Sequence, residues 1–240
     1  MERQEYALMD AAEARMWWYR ALHRRLEAAL APVPGPGPVL DAGCGTGGML
    51  AELAAHRPDL TLRGLEYDSA AAARARAKSG AEVTRGSVNA MPFAASTFAA
   101  VCSADVLCHA AVEPAAALAE FHRVLRPGGR LVLNMPAYDW LLSAHDRRVQ
   151  NVRRWNARQT RAALAAAGFA EIHTHYWNSL LFPLMLAHRL LHARDTAAAS
   201  DVVPFPPRID AGFFAITEFE RRLPCSLPAG GSVLAIALRP

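Results

Sequence analysis

Lysine is almost absent: of 26 basic residues, Lys78 alone is not arginine. Cysteine is also sparse. Cys44, Cys102, Cys108 and Cys225 include no C-x-x-C pair, and three of them lie in or beside apolar segments. That pattern argues against a disulfide framework and a cysteine zinc site, and fits reduced thiols in a cytoplasmic protein. No run reaches the roughly 20 uninterrupted apolar residues of a membrane-spanning helix, so stable membrane insertion is not expected. The opening MERQEYALMDAAEAR lacks the apolar core of a signal peptide. A net charge of +4 is modest for this length, and the arginine-rich stretch from Arg147 to Arg161 contains a single aromatic, Trp155. A nucleic-acid partner would need a more concentrated basic face and more stacking rings.

What is present is an alternation. The 240 residues are 52% apolar and 20% charged, as in an ordinary globular chain, and they contain no repeat. Trp17, Trp18, Leu22, Leu26 and Leu30 recur at helical spacing, which predicts one helix from about Glu5 to Ala31, ended by PVPGPGP. Strands are then expected at VLDA, Leu60–Leu65, Ala81–Arg85, Phe98–Ser103 and Arg130–Met135. Helices are expected between them at Met49–His56, Ser69–Ser79 and Pro114–Leu125. Such an order implies a doubly wound α/β fold whose parallel sheet is covered on both faces. Beyond it the pattern predicts a helix at Ala157–Ala167, a strand at Glu171–Trp177, two helices flanking VVPFPPR, and a last strand at Ser232–Leu238. The expected organisation is a single domain over 1–240. It comprises an N-terminal helical lid (1–31), a binding core (39–135) and acceptor-side insertions at 136–161 and 180–228.

The first strand runs into Asp41-Ala-Gly43-Cys44-Gly45-Thr-Gly47-Gly48. Glycines let the backbone turn sharply and approach a ligand, and the following helix presents its N-terminus there. The dinucleotide fingerprint G-x-G-x-x-G is close to this pattern. Here, however, the glycines are spaced by two, and Asp41 precedes them. A carboxylate at that point suits a cationic aminoacyl group and repels a pyrophosphate. About twenty residues on, Glu66 ends the next strand, where a carboxylate can accept both hydroxyls of a ribose.

With VLDAGCGTG, GLEYDS, GSVNAMPFAASTFAAVCSADVLCH and HRVLRPGGRLVL in that order, the stretch Val39–Met135 resembles the class I S-adenosylmethionine-dependent methyltransferases, in particular the branch acting on small molecules. The resemblance implies S-adenosyl-L-methionine as cofactor. It also implies a Rossmann-like sheet of seven strands whose antiparallel last strand lies between the fifth and sixth. By motif position, Asp41, Gly43, Cys44, Gly45 and Gly47 would surround the methionine part and Glu66 the ribose. Tyr67 would lie on an adenine face, Ser87 and Val88 at its edge, and Ser103 near the sulfonium. Ser87 and Ala99 replace carboxylates common in the family. The rival readings are a non-catalytic partner subunit of the same fold and, against the glycine spacing, a dinucleotide-dependent oxidoreductase.

On the acceptor side, MPAYDWLLSAHD follows the fifth strand, at the carboxyl edge where open α/β sheets collect ligands. His145 and Asp146 are the candidate catalytic pair for an O-methyl transfer by in-line displacement, with His145 taking or orienting a proton. The competing reading is a solvated loop histidine beside a turn-capping aspartate. His109, Tyr138, Trp140 and Arg154 are candidate substrate contacts, and the arginine run leaves an anionic acceptor open, although such runs are ordinarily solvated faces. His173 and His175 share a strand face without a third ligand, so no metal is expected. LLFPLMLAHRLL could line a pocket or form a homodimer face.

Overall fold

The computed structural model describes residues 3–191 and 205–240. Seven strands form its sheet: β1 (Pro38–Ala42), β2 (Thr61–Glu66), β3 (Glu82–Arg85), β4 (Phe98–Ala104), β5 (Leu125–Pro136), β6 (Ala170–Trp177) and β7 (Ser232–Leu238). Their order is β3-β2-β1-β4-β5-β7-β6, and β7 runs antiparallel to both of its neighbours. This is the expected doubly wound, Rossmann-like sheet with its last strand inserted between the fifth and sixth. β1 and β4 are apolar and almost wholly buried, as central strands covered on both faces must be.

Helices α1 (Arg3–Ala12), α2 (Trp17–Leu30), α3 (Gly48–His56), α4 (Ser69–Ser79) and α5 (Pro114–Val124) belong to the first half. α6 (Ala144–Arg148), α7 (Ala157–Ala166), α8 (Phe182–Leu191) and α9 (Pro207–Arg221) belong to the second. Local signals place several ends. Asp68 caps α4 by accepting from the amides of Ala70 and Ala71, both at 2.9 Å, and Gly80 ends it at φ 70°. On one face of the sheet α5 and α7 bury Leu118, Phe121, Leu164 and Phe169. On the other, α2 and α3 bury Leu26, Leu30 and Leu53 with Trp177.

The single helix expected from Glu5 to Ala31 is in fact two. Met16 is extended (φ −70°, ψ 131°), and the Trp17 amide donates to Asp210 Oδ1 of α9 at 2.8 Å. A cap arriving from far along the chain starts α2 afresh, and the side chain of Glu13 turns toward the glycine loop. The remaining strand and helix expectations match to within a few residues, except that β5 begins at Leu125 and not at Arg130; Val202, Val203 and Pro204 of the VVPFPPR loop lie outside the described residues.

The same α2–α9 contact builds one wall of a cavity. Arg25 of α2 lies over the Trp177 ring at 4.5 Å and donates to Thr217 O at 2.7 Å. Glu220 of α9 accepts from the amides of Ser179 and Leu180 at 2.7 and 3.0 Å, fixing the entry to α8. Among the described residues no helix is long and apolar enough to cross a membrane.

Candidate functional site

The turn after β1 is held by β2. The amides of Gly43 and Cys44 donate to Leu65 O at 2.8 and 3.0 Å. The Gly45 amide donates to Glu66 Oε2 and the Asp68 amide to Glu66 Oε1, both at 2.9 Å. Glu66 is therefore aimed by two backbone bonds between two turns, one of which needs the positive φ of Gly45 (55°). Asp41, at the end of β1, lines the same cavity, and among the described residues no donor bonds its carboxylate. Burial, with the charges of Glu66 and Glu13 adding to it, pushes Asp41 up to about 7.

Helix α1 covers this turn. The Tyr6 hydroxyl donates to Glu66 Oε1 at 3.2 Å, and Met9 lies against Gly45. Just after α1, Glu13 accepts from the Thr46 hydroxyl at 2.9 Å and from the Gly48 amide at 3.2 Å, and is paired with Lys78. It thus satisfies a free amide at the N-terminus of α3. Burial raises the Glu13 carboxyl, and its bonds to Lys78 oppose that only in part.

From Asp41 and Glu66 one continuous cavity of about 1380 Å³ extends across the carboxyl edge of the sheet. Its far lobe is walled by apolar side chains of α2, α8 and α9, including Leu22, Leu26, Met185 and Phe213. Polar residues enter at His23, Asp105, His109, His145 and Arg154. Burial pushes His23 and His109 down to about 4, so both rings are neutral near pH 7. Asp105 follows β4 with a left-handed backbone (φ 55°) and accepts from Asn134 Nδ2 at 2.9 Å. Asn134 is itself held by the Trp177 indole, which donates to Oδ1 at 2.7 Å.

Residues 40–133 match the methyltransferase domain family. Over that stretch the chain is similar to methyltransferase domains. The chain is 38% identical over 107 residues to an uncharacterized 37.1 kDa protein in transposon TN4556 of Streptomyces fradiae, covering 42% of this chain and 31% of that protein. It is 34% identical over 113 residues to cycloartenol-C-24-methyltransferase 1 of Oryza sativa subsp. japonica, covering 45% of this chain and again 31% of the relative. These matches thus span about a third of the relatives' length. Among solved structures, the fold resembles a SAM-dependent methyltransferase from Thermotoga maritima (TM-score 0.63, 17% identity, 99% of this chain and 95% of that one). It also resembles geranyl diphosphate C-methyltransferase from Streptomyces coelicolor A3(2) with geranyl diphosphate and S-adenosyl-L-homocysteine (TM-score 0.63, 19% identity, 92% and 79%). At those identities the likeness speaks for the fold.

Most residues expected at the cofactor line the cavity. Asp41, Gly43, Cys44 and Gly45 do so from the first turn, Glu66 and Tyr67 from the second, and Ser87 and Val88 from beyond β3. Gly47 and Ser103 do not. A Cβ on Gly47 would come within 2.6 Å of the Ala75 backbone, so this glycine lets α4 approach the loop. Ser103 is buried and donates to Ala42 O at 2.7 Å, tying β4 to β1.

On the acceptor side His109, His145, Asp146 and Arg154 line the cavity, and Tyr138 and Trp140 do not. Tyr138 stacks on Trp140 and Tyr176, with ring centroids 5.6 and 5.3 Å apart, and Trp140 is 63% exposed. Asp146 and Arg154 are committed to each other: the guanidinium donates through Nε and Nη2 to Oδ1 at 3.1 and 2.9 Å and through Nη2 to Oδ2 at 2.8 Å. Ser143 adds amide and hydroxyl bonds to Oδ2 at 2.7 and 2.9 Å. Burial alone would raise Asp146, but the Arg154 charge and these bonds hold it below the usual carboxylate range. The pair braces α6 against the loop that leads into α7; neither member is free for the proton transfer or substrate grip expected of it. Arg153 is likewise spent on the carbonyls of Leu107, His109 and Val112. No group of three residues among those described could hold a metal.

Sequence reasoning missed Tyr6, Glu13, His23 and Asp105. Asp105 carried a readable signal, an acid two residues past Ser103 at the same strand end; the others reach the site only through the folding-back of the first 30 residues.

Proposed function

We propose that the protein transfers the methyl group of S-adenosylmethionine to an oxygen of a small organic molecule held in the far lobe of the cavity. The observation that carries this reading is the continuity of one cavity from Asp41 and Glu66 to the histidine-lined lobe. The residues fit the cofactor: Asp41, buried and without a donor among the described residues, is matched to an ammonium, and Glu66 is aimed to accept from a diol. Bound there, S-adenosylmethionine supplies an electrophilic methyl group on a sulfonium.

The chain's own residues would do the rest by positioning, water exclusion and proton handling. α1 closes the cofactor end, and the apolar side chains of α2, α8 and α9 keep water from the lobe. His145 is the residue we assign to take the hydroxyl proton: it lines the lobe, and among the described residues none bonds its Nδ1. A small acceptor is supported by the names of the similar proteins, since cycloartenol and geranyl diphosphate are both small molecules.

The test is transfer of radiolabelled methyl from S-adenosylmethionine into a cell lysate fractionated by size. Label in the low-molecular-mass organic extract supports the proposal. Label confined to RNA or protein would contradict it.

A further inference from the structure

Charge is distributed unevenly along the cavity. Its described lining carries seven carboxylates (Glu5, Glu13, Asp41, Glu66, Asp68, Asp105, Asp146) but only two guanidiniums, those of Arg154 and Arg189. Both guanidiniums are directed at one carboxylate. Arg154 forks onto Asp146 with a closest contact of 2.8 Å, and Arg189 approaches Asp146 Oδ2 at 3.6 Å while donating to Leu141 O. A carboxylate or phosphate entering the lobe would find no uncommitted cation among the described residues and would face excess negative charge. A cation fares little better. Glu13 is paired with Lys78, and Asp41, Glu66 and Asp68 belong to the cofactor end. Asp105, bonded by Asn134, is pushed up to about 7.

The rest of the polar lining is made of side-chain amides (Gln150, Asn151, Asn178), hydroxyls and imidazoles. His23, His109 and His145 line the cavity, and among the described residues none bonds the Nδ1 of any of the three. A neutral imidazole both donates and accepts, and so matches a hydroxyl or carbonyl better than an ion. The wall between them is hydrocarbon and aromatic: Trp17 meets Phe213 edge-on at 5.5 Å, and Leu22, Leu26, Leu181 and Met185 complete it. At about 1380 Å³ the cavity exceeds the roughly 300–1,000 Å³ of ordinary small-molecule sites, leaving room for a sizeable second ligand beside the cofactor.

We infer that the methyl acceptor is an uncharged, largely apolar molecule bearing hydroxyl or carbonyl groups, recognised by His23, His109 and His145. The inference rests on the methyltransferase reading above and specifies its substrate class.

The test is calorimetry on the full chain saturated with S-adenosylhomocysteine, using three probes of one shape: 2-naphthol, 2-naphthoate and 2-naphthylmethylamine. The expected order puts 2-naphthol at least tenfold tighter than either ion. In His109→Phe and His23→Phe the 2-naphthol affinity should fall about fivefold, the worth of one net hydrogen bond. Retained S-adenosylhomocysteine binding by those variants shows that they are folded. Tighter binding of the naphthoate or the amine, no binding of any probe, or 2-naphthol affinity unchanged in both folded variants would overturn the inference. Failure of the wild-type chain to bind S-adenosylhomocysteine would instead remove the reading beneath it.

Discussion

The Tyr6 hydroxyl donates to Glu66 Oε1 at 3.2 Å, joining α1 to the end of β2 across 60 residues of chain. The carboxylate suited to hold a ribose is therefore already bonded by the helix that covers it. Burial and the neighbouring Glu66 charge both raise the Tyr6 phenol, so it remains a donor at any physiological pH. Removing that donor in Tyr6→Phe should free the oxygen and tighten S-adenosylhomocysteine binding about fivefold, on the order of 1 kcal/mol for one net hydrogen bond. Calorimetry reads this directly, and weaker binding would show that Tyr6 serves the ligand instead of competing with it.

Asp41 gives the cofactor end a pH signature. Its folded-state value of about 7 lies above the ordinary 3.8, so folding favours its protonated form. That contribution to stability is complete below about pH 4 and is lost as pH rises through 7. Asp41→Asn should therefore melt higher than the wild type at pH 8, with the gap closing toward pH 5, in thermal unfolding without ligand. The same variant should bind S-adenosylhomocysteine more weakly at pH 8, because the ammonium loses its counter-charge.

Asp146 and Arg154 are expected to reveal themselves by stability. Asp146→Ala leaves a buried guanidinium without its partner and should cost about 3–5 kcal/mol in urea unfolding. Asp146→Leu combined with Arg154→Met should recover most of that loss. A single variant with wild-type stability would contradict the bracing role drawn from the bond pattern.

His145→Ala should lower label incorporation into the organic extract by about 10²–10⁴-fold, the usual contribution of a general base, while leaving S-adenosylhomocysteine affinity unchanged. A wild-type rate in that variant would end its assignment as proton acceptor.

The sheet was legible because its signals are local. Alternating strand and helix periods, the Gly43–Gly47 turn, Asp68 and Gly80 at the ends of α4, and the apolar run Ser232–Leu238 each state their structure within a few residues. The lid was not. The break before Trp17 depends on Asp210, 193 residues away, and no window on the N-terminal stretch contains it. Arg154 misled for a related reason: a guanidinium reads as an anion receptor until its partner is known, and Asp146 supplies that partner from α6. Tyr138 and Trp140 had the right residue types beside the right strand, yet they stack on each other outside the cavity. Neighbourhood in sequence set their position, not their direction.

Calorimetric titration of S-adenosylhomocysteine into the wild-type chain and into Glu66→Ala, with NAD titrated in parallel, bears most directly on the cofactor. The expected result is saturable binding of S-adenosylhomocysteine, at least a tenfold loss in Glu66→Ala, and no binding of NAD. Binding of NAD alone, or S-adenosylhomocysteine affinity indifferent to Glu66, would contradict the site built here from Asp41, the glycine turn and Glu66.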